Sequence, residues 1–460
     1  MRLEAIAVRG LLKQFNYTIP LHTSERVTII HGPNGYGKTT LLKLIEAFYR
    51  GDYDELRVIP FDLVELFFSY GIRLAISKEL RDEAEEPDGA SPELQLVCTL
   101  YTDTELVHRD VIKRGRAWMG SFRSREIIHR YLPFLTQVGP EVWQDSRTGE
   151  LLTSEALIPR YADAVPSRHR VFRKPKDPDW LKEHKEQFRV RFIQSQRLLT
   201  EARERRAPSE THTSTYEYTV NAYARELSET ISYKIAEYGA LTASYERSFP
   251  TRFVAQDDSL GGPTKADVLR GKIKARLEAI ERKREDLQSS GLLDKQVDDR
   301  LALTPSFSDA KLVFLDLYTQ DVETKLKIFD DLAARIRLFT AILNKKFSYK
   351  TVSISREKGF VIAVDGLGEL APQGLSSGEQ HELVLCFELL FKTGPDFFVM
   401  IDEPEISLHV EWQEAFLADL QKMADLARFD SLIATHSPII VGDRWDVAVS
   451  LSQQIDTVAV

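Results

Sequence analysis

The hydrophobic and polar positions fall into three regimes along the chain. In the first 50 residues LEAIAVRG partly alternates, ERVTIIHG is a β-branched run stopped by a glycine, and LLKLIEAFY has helical spacing. A period of two predicts a half-buried strand, a solid apolar run a strand covered on both faces, and a period near 3.6 a helix. The order is therefore strand, strand, Gly-rich loop, helix. LQLVCTLYT and QFRVRFI (187–193) read as further strands, while the rest of 104–180 is irregular and rich in Arg, Pro and Trp. From 213 to 346 the spacing is helical: Ile231, Ile235, Tyr238, Leu241 and Tyr245 form one stripe, Leu326, Phe329, Ala333 and Ile336 another. These helices suit a short bundle or coiled-coil hairpin. After 350 strands return as KTVSISRE, GFVIAVDG, FFVMIDEPE and SLIATHSP, with helical patterns in GLSSGEQHELVLCFELLF and VEWQEAFLADLQKM. The expected organisation is 1–205, 206–348 and 349–460, with the helical segment inserted between two α/β parts.

Composition narrows the class. Hydrophobic residues are 43% and charged residues 28% of the 460, which suits a folded, water-soluble chain. No apolar run approaches the ~20 residues of a bilayer span, and MRLEAIAVRG has no secretory leader pattern, so a cytoplasmic protein without a membrane segment is expected. Cys98 and Cys386, with no CxxC, exclude a disulfide framework and argue against a structural zinc. The net charge of −9 argues against a protein that coats nucleic acid. Two basic stretches, 108–130 and 168–176, leave DNA, or an acidic partner, as a local possibility.

Gly32-Pro33-Asn34-Gly35-Tyr36-Gly37-Lys38-Thr39 follows an apolar strand and opens a helix, which is the context of a phosphate-binding loop. Glycines allow the tight turn that aims successive N–H groups at phosphate oxygens, and the helix N-terminus adds positive potential. Lys38 is placed to reach the terminal phosphates, Thr39 to ligate Mg²⁺, and Thr40 to donate to an inner phosphate. Gly32, Asn34, Gly35 and Gly37 complete the cradle. The apolar run Phe397–Ile401 ends in Asp402 and Glu403, carboxylates at the edge where open α/β sheets bind nucleotides. Asp402 would hold Mg²⁺ and Glu403 would orient or deprotonate an attacking water. Arg9, Lys13, Phe15 and Tyr17 lie upstream of the loop, as base-stacking candidates or as strand and core residues.

Three further motifs carry a family resemblance. Leu375-Ser376-Ser377-Gly378-Glu379-Gln380 resembles the ABC signature, Pro404-Glu405-Ile406-Ser407-Leu408-His409 the turn that holds the D-loop, and Ala434-Thr435-His436-Ser437-Pro438 the H-loop. In this order they resemble an ABC-type ATPase of the SMC and OLD kind, whose two-lobed α/β head, a mixed sheet with a P-loop, is split by a helical or coiled-coil insertion. That resemblance implies ATP and Mg²⁺ as cofactors, His436 as a γ-phosphate sensor, and Ser376, Gly378 and Glu379 as contacts to a nucleotide held on another subunit. It thus implies a homo-oligomer built on ATP-sandwich pairs. The same residues also read as a helix N-cap, Ser376 or Ser377 with Glu379 or Gln380. For the Q-loop, Gln196 is preferred, with Gln194 the alternative; either would add a metal contact.

E-P-E-x-S-L-H followed by T-H-S-P is similar to the ATPases of bacterial anti-phage defence systems, the PARIS type first and the Septu type next. The resemblance implies an oligomeric sensor that holds a separate toxic effector, a Toprim nuclease, and responds to a phage-encoded trigger. The short stretch after His436 leads to the expectation that the nuclease is a separate subunit. The charged pattern of 265–286 is a candidate docking face for it. The alternative is a DNA-repair ATPase of the SMC/RecF kind acting on DNA.

Overall fold

The computed structural model describes residues 1–80, 94–112, 132, 134–139, 142–146, 151–153, 176–195, 197–201, 216–256, 263–294, 308–406 and 408–454. Gln196, Ser407 and most of the two basic stretches lie outside the described residues. In chain order the elements begin with β1 (Leu3–Leu11), β2 (Phe15–Pro20), β3 (Val27–His31), α1 (Lys38–Arg50), α2 (Tyr53–Val58), β4 (Leu63–Phe68), β5 (Ile72–Leu80), β6 (Leu94–Thr102) and β7 (Glu105–Ile112). The short strands β8 (Leu135–Gln137), β9 (Val142–Asp145) and β10 (Leu151–Thr153) lead to α3 (Asp179–Gln187), β11 (Arg189–Ile193), β12 (Leu199–Glu201) and β13 (Tyr216–Tyr218). Four helices follow, α4 (Thr219–Val254), α5 (Pro263–Ser289), α6 (Asp309–Leu326) and α7 (Asp330–Lys346). Then come β14 (Lys350–Ser355), β15 (Gly359–Val364), β16 (Gly368–Leu370), α8 (Ser377–Phe391), β17 (Phe397–Asp402), α9 (Val410–Ala427), β18 (Asp430–Thr435), α10 (Pro438–Val441) and β19 (Ala448–Ser450).

The described chain packs as two units, 1–196 with 203–215 and 393–460, and 197–202 with 216–392. The division falls at 197 and 393, whereas the periodicity suggested 206 and 349. The reason lies in what β14–β16 and α8 pack against. Asn344 of α7 exchanges hydrogen bonds with Val352 of β14, Arg335 of α7 donates to the Leu390 carbonyl of α8, and Tyr223 of α4 stacks on Phe387 of α8 with ring centroids 4.5 Å apart.

In the first unit the solid apolar runs form a five-stranded parallel sheet, ordered β11-β17-β18-β3-β19. Phe398, Val399, Met400 and Ile401 of β17 and Leu432, Ile433 and Ala434 of β18 are buried to within 1%, as the two-faced pattern predicts. Register brings Asp402 opposite Ala434 and His31 opposite Thr435, so three functional loops leave the same sheet edge. A second sheet, antiparallel and ordered β2-β1-β4-β5-β6-β7, shares one core with it through Ile6, Val8, Phe48, Phe68, Phe188 and Phe398.

β7 was not anticipated: residues 105–111 are all exposed, so burial writes no alternation into the sequence there. In the second unit the helical spacing of 213–346 is realised in α4–α7. Arg276 and Lys283, candidates for a docking face, are paired with Asp316 at 2.5 Å and Asp330 at 2.6 Å.

Candidate functional site

The loop between β3 and α1 turns where its glycines permit. Gly35 and Gly37 have φ of 88° and 77°, in the left-handed region that disfavours side chains. A Cβ on Gly37 would also lie 3.0 Å from Leu11 Cδ2. Gly37 caps α1 without any side-chain cap hydrogen bond, which leaves the first-turn N–H groups directed into the loop. Tyr36 stacks on Phe15, and Phe15 on Tyr17, each pair with centroids 5.6 Å apart. The Tyr17 hydroxyl donates to the Tyr36 carbonyl at 2.9 Å. Burial pushes that phenol up to about 12, so it remains a donor at neutral pH. Tyr17 is thereby a core residue that braces the loop, and Arg9 and Lys13 are exposed.

Lys38 is 4% exposed, and its ammonium donates to the carbonyls of Gly32 at 2.6 Å and Pro33 at 3.2 Å and lies 3.1 Å from His436 Nδ1. Burial lowers its pKa, while Glu403, Asp402 and Glu405 oppose that shift. A buried ammonium held by neutral carbonyls is poorly hydrated, a setting in which charged phosphate oxygens compete well. With Lys38 donating to Nδ1, the proton of His436 sits on Nε2, 3.4 Å from Glu403 Oε1. Lys38, His436 and Glu403 thus form one polar chain.

Beside it, Thr39 Oγ1 donates to Asp402 Oδ1 at 3.0 Å. Burial raises the Asp402 pKa, with the Thr39 hydrogen bond acting the other way. A hydroxyl oxygen and a buried carboxylate are hard oxygen donors and fit Mg²⁺. Glu403 follows Asp402 with φ of 46°, a strained turn for a side-chain-bearing residue, and its N–H donates to the Ala434 carbonyl at 2.8 Å. The turn lifts the Glu403 carboxylate off the strand line toward His436. Thr40 is half-buried on α1 and Asn34 is exposed in the loop.

Glu405 makes contacts that the motif reading did not anticipate. Its Oε1 accepts from Thr435 Oγ1 at 2.8 Å, His436 N at 2.9 Å and Ser437 N at 3.1 Å. The available signal was a second glutamate two residues after Glu403, in a turn where a solvated acid would need no partner.

The signature turn belongs to the second unit. Ser376 and Glu379 form the capping box of α8, the side chain of Ser376 accepting from Glu379 N while Glu379 Oε2 accepts from Ser376 N at 2.8 Å. Lys350 clamps both Glu379 oxygens, at 2.6 and 2.7 Å. Burial pushes the Glu379 carboxyl up, but Lys350 and Ser376 overcome it and hold the group below the usual range. Glu379 therefore does not present a spare oxygen to a ligand, whereas Ser376 is exposed and Gly378 half-exposed. For the Q-loop, Ile193 pairs with Ile401, one residue short of Asp402, and exposed Gln194 follows it; Gln196 lies outside the described residues.

These geometries define an ATPase class, and the family model agrees. The AAA ATPase domain family (AAA_15) matches residues 1–441, and the chain belongs to it. Among solved structures, an SMC head bound to the C-winged helix domain of ScpA is similar at 10% identity over 96% of this chain and 92% of that one, and the SMC head domain from Thermotoga maritima at 12% over 97% and 92%. Both have a TM-score of 0.32, too low to establish a shared detailed architecture. No curated protein matches the chain significantly. Among the described residues no helix is long and apolar enough to cross a membrane, and no group of three or more His, Cys, Asp or Glu is arranged to hold a metal.

Proposed function

We propose that the protein hydrolyses ATP at the sheet edge formed by Lys38, Asp402, Glu403 and His436. The observation that carries this reading is the polar chain Lys38–His436–Glu403 beside the Thr39–Asp402 pair. The backbone of 32–40 cradles the phosphates and Lys38 binds their terminal oxygens. Thr39 and Asp402 would hold Mg²⁺, with Gln194 or Gln196 as a further contact, and the bound ion would supply neutralisation of phosphate charge. Glu403 orients the water and takes its proton. His436, joined to Lys38 on one side and Glu403 on the other, reports the γ-phosphate to both. Glu379 serves by setting the turn that presents Ser376 and the Gly378 amide.

The resemblance of its signature supports a site completed by a second copy, whose Ser376 and Gly378 meet the γ-phosphate. The E-P-E and T-H-S-P motifs support a role in anti-phage defence, in which ATP-loaded oligomers hold a separate nuclease effector inactive and release it when a phage trigger binds. A mixing experiment tests the shared site. Lys38→Ala and Ser376→Ala proteins should each lack ATPase activity, Lys38→Ala through a loss of ATP affinity of roughly 100-fold. Mixed, they should regain a fraction of wild-type turnover. Full activity in a strictly monomeric protein would reject the composite site, and metal-dependent DNA cleavage by this chain alone would reject the separate effector.

A further inference from the structure

We infer that Glu405 is a positioning residue for hydrolysis, the group that fixes where His436 stands. The inference rests on the ATPase reading above and extends it to a residue whose hydrogen bonds go to the loop of His436 and not to Lys38 or Asp402. Three consecutive residues, the last of β18 and the first two of the loop after it, converge on one carboxylate oxygen: the Thr435 hydroxyl, the His436 amide and the Ser437 amide. Thr435 is fully buried. An oxygen accepting three donors at 2.8 to 3.1 Å specifies the backbone of that loop in three dimensions. His436 has no comparable restraint from its own strand, because β18 ends at Thr435.

The second oxygen of Glu405 is buried and has no hydrogen-bond partner among the described residues. A buried carboxylate oxygen left unpaired is costly, so stability alone does not explain an acid here. What the acid supplies is an acceptor strong enough to gather both amides and a hydroxyl. A second tie reinforces it. Ser437 Oγ donates to Gln413 Oε1 at 3.1 Å, and Gln413 Nε2 donates to the Leu408 carbonyl at 3.1 Å. The turn 403–409 and the loop 435–437 are therefore joined at two points. The Glu403 base and the His436 sensor ride on these two segments, and Glu405 sets their separation. Loss of that restraint displaces the His436 ring from Glu403 and Lys38 without removing any group that touches ATP.

The experiment is steady-state ATPase kinetics on the full chain, with melting temperature measured for each variant. Glu405→Ala should lower kcat about 100-fold, the cost of a misplacement near 1 Å, with KM for ATP within about threefold of wild type. Glu405→Gln retains a carbonyl oxygen for the three donors and should recover most of that loss. Thr435→Val, equal in volume, removes one donor and should lower kcat about three- to tenfold with KM unchanged. If Glu405→Ala does not fold, the other two variants decide. Wild-type kcat in Glu405→Ala, wild-type kcat in Thr435→Val, or Glu405→Gln as impaired as alanine would each overturn the inference. A wild-type protein without ATPase activity would instead overturn the function on which it rests.

Discussion

Two buried acids, Asp402 and Glu379, lie in the two motif regions and have opposite electrostatic fates. Asp402 is 6% exposed and Glu379 8%. Asp402 receives one hydroxyl donor from Thr39, and burial leaves its pKa raised. Glu379 receives Lys350 on both oxygens and the N–H and hydroxyl of Ser376, and burial is overcome so that its pKa is lowered. For the first, burial and the neighbouring Glu403 outweigh the Thr39 hydrogen bond and the charges of Lys43 and Lys38; for the second, the partners outweigh burial. A group that must receive a metal ion has to retain unspent charge, whereas a group that shapes a turn is best satisfied within the protein. On the proposed function, the difference fits the phosphate-loop wall for chemistry and the signature cap for presentation.

The sharpest way to break that division is Glu403→Gln. The amide keeps the shape and cannot take a proton. Turnover should fall about 10²- to 10⁴-fold, while ATP affinity stays near wild type and the ATP-loaded oligomer accumulates. Size-exclusion chromatography with ATP and single-turnover assays read both effects. Wild-type turnover would move the base elsewhere and remove the polar chain from the chemistry.

Glu379→Gln should act on the fold first. It removes the carboxylate that Lys350 clamps and leaves that ammonium half-paired, at a cost of about 1–3 kcal/mol at pH 7. Glu379 has a lowered folded-state pKa, so its stabilisation is full above the ordinary glutamate range, about 4.3. It is lost as pH falls through the lowered value. The gap in melting temperature between wild type and variant should therefore close in acid. A gap that does not narrow as pH falls below about 4.3 would mean that packing, not the charged clamp, holds the turn.

How much of this was legible in the sequence depended on whether burial wrote a pattern. The two-faced strands β3, β17 and β18 are solid apolar runs, so Lys38, Asp402 and Glu403 were named from the residues at their ends, and His436 from the resemblance of its motif. β7 carries no such pattern, because its residues up to Val111 face solvent. The second unit's claim on β14–β16 and α8 was also hidden. It is made by contacts such as Tyr223 with Phe387, which lie far apart in sequence. Glu379 was expected at the nucleotide because the resemblance put it there. Lys350 lies 29 positions upstream, and no local signal announces the clamp. Glu405 was quoted within a motif and given no task, since its three donors come from another strand's loop.

The smallest predicted effect tests the other half of the comparison. Asp402→Asn should abolish the Mg²⁺ dependence of ATP binding, yet without Mg²⁺ and nucleotide it should melt slightly higher than wild type at pH 7. The sign follows from the raised pKa. An acid whose folded pKa lies above its unfolded value, about 3.9, favours the protonated form in the fold. Below the unfolded value both states are protonated and no penalty exists. As pH rises through the folded value, the penalty for the buried charge grows, and it is complete above it. Asparagine carries no charge, and its Oδ1 can still accept from Thr39 at the 3.0 Å seen for Asp402. The gain should be about 1–3 °C at neutral pH and should vanish in acid. The sign is opposite to that for Glu379→Gln, so one melting series against pH compares the two sites directly. A loss of melting temperature in Asp402→Asn would show that Lys43 and Lys38, whose charges act to lower the Asp402 pKa, stabilise the carboxylate in the fold, and would place it with Glu379 as a structural acid.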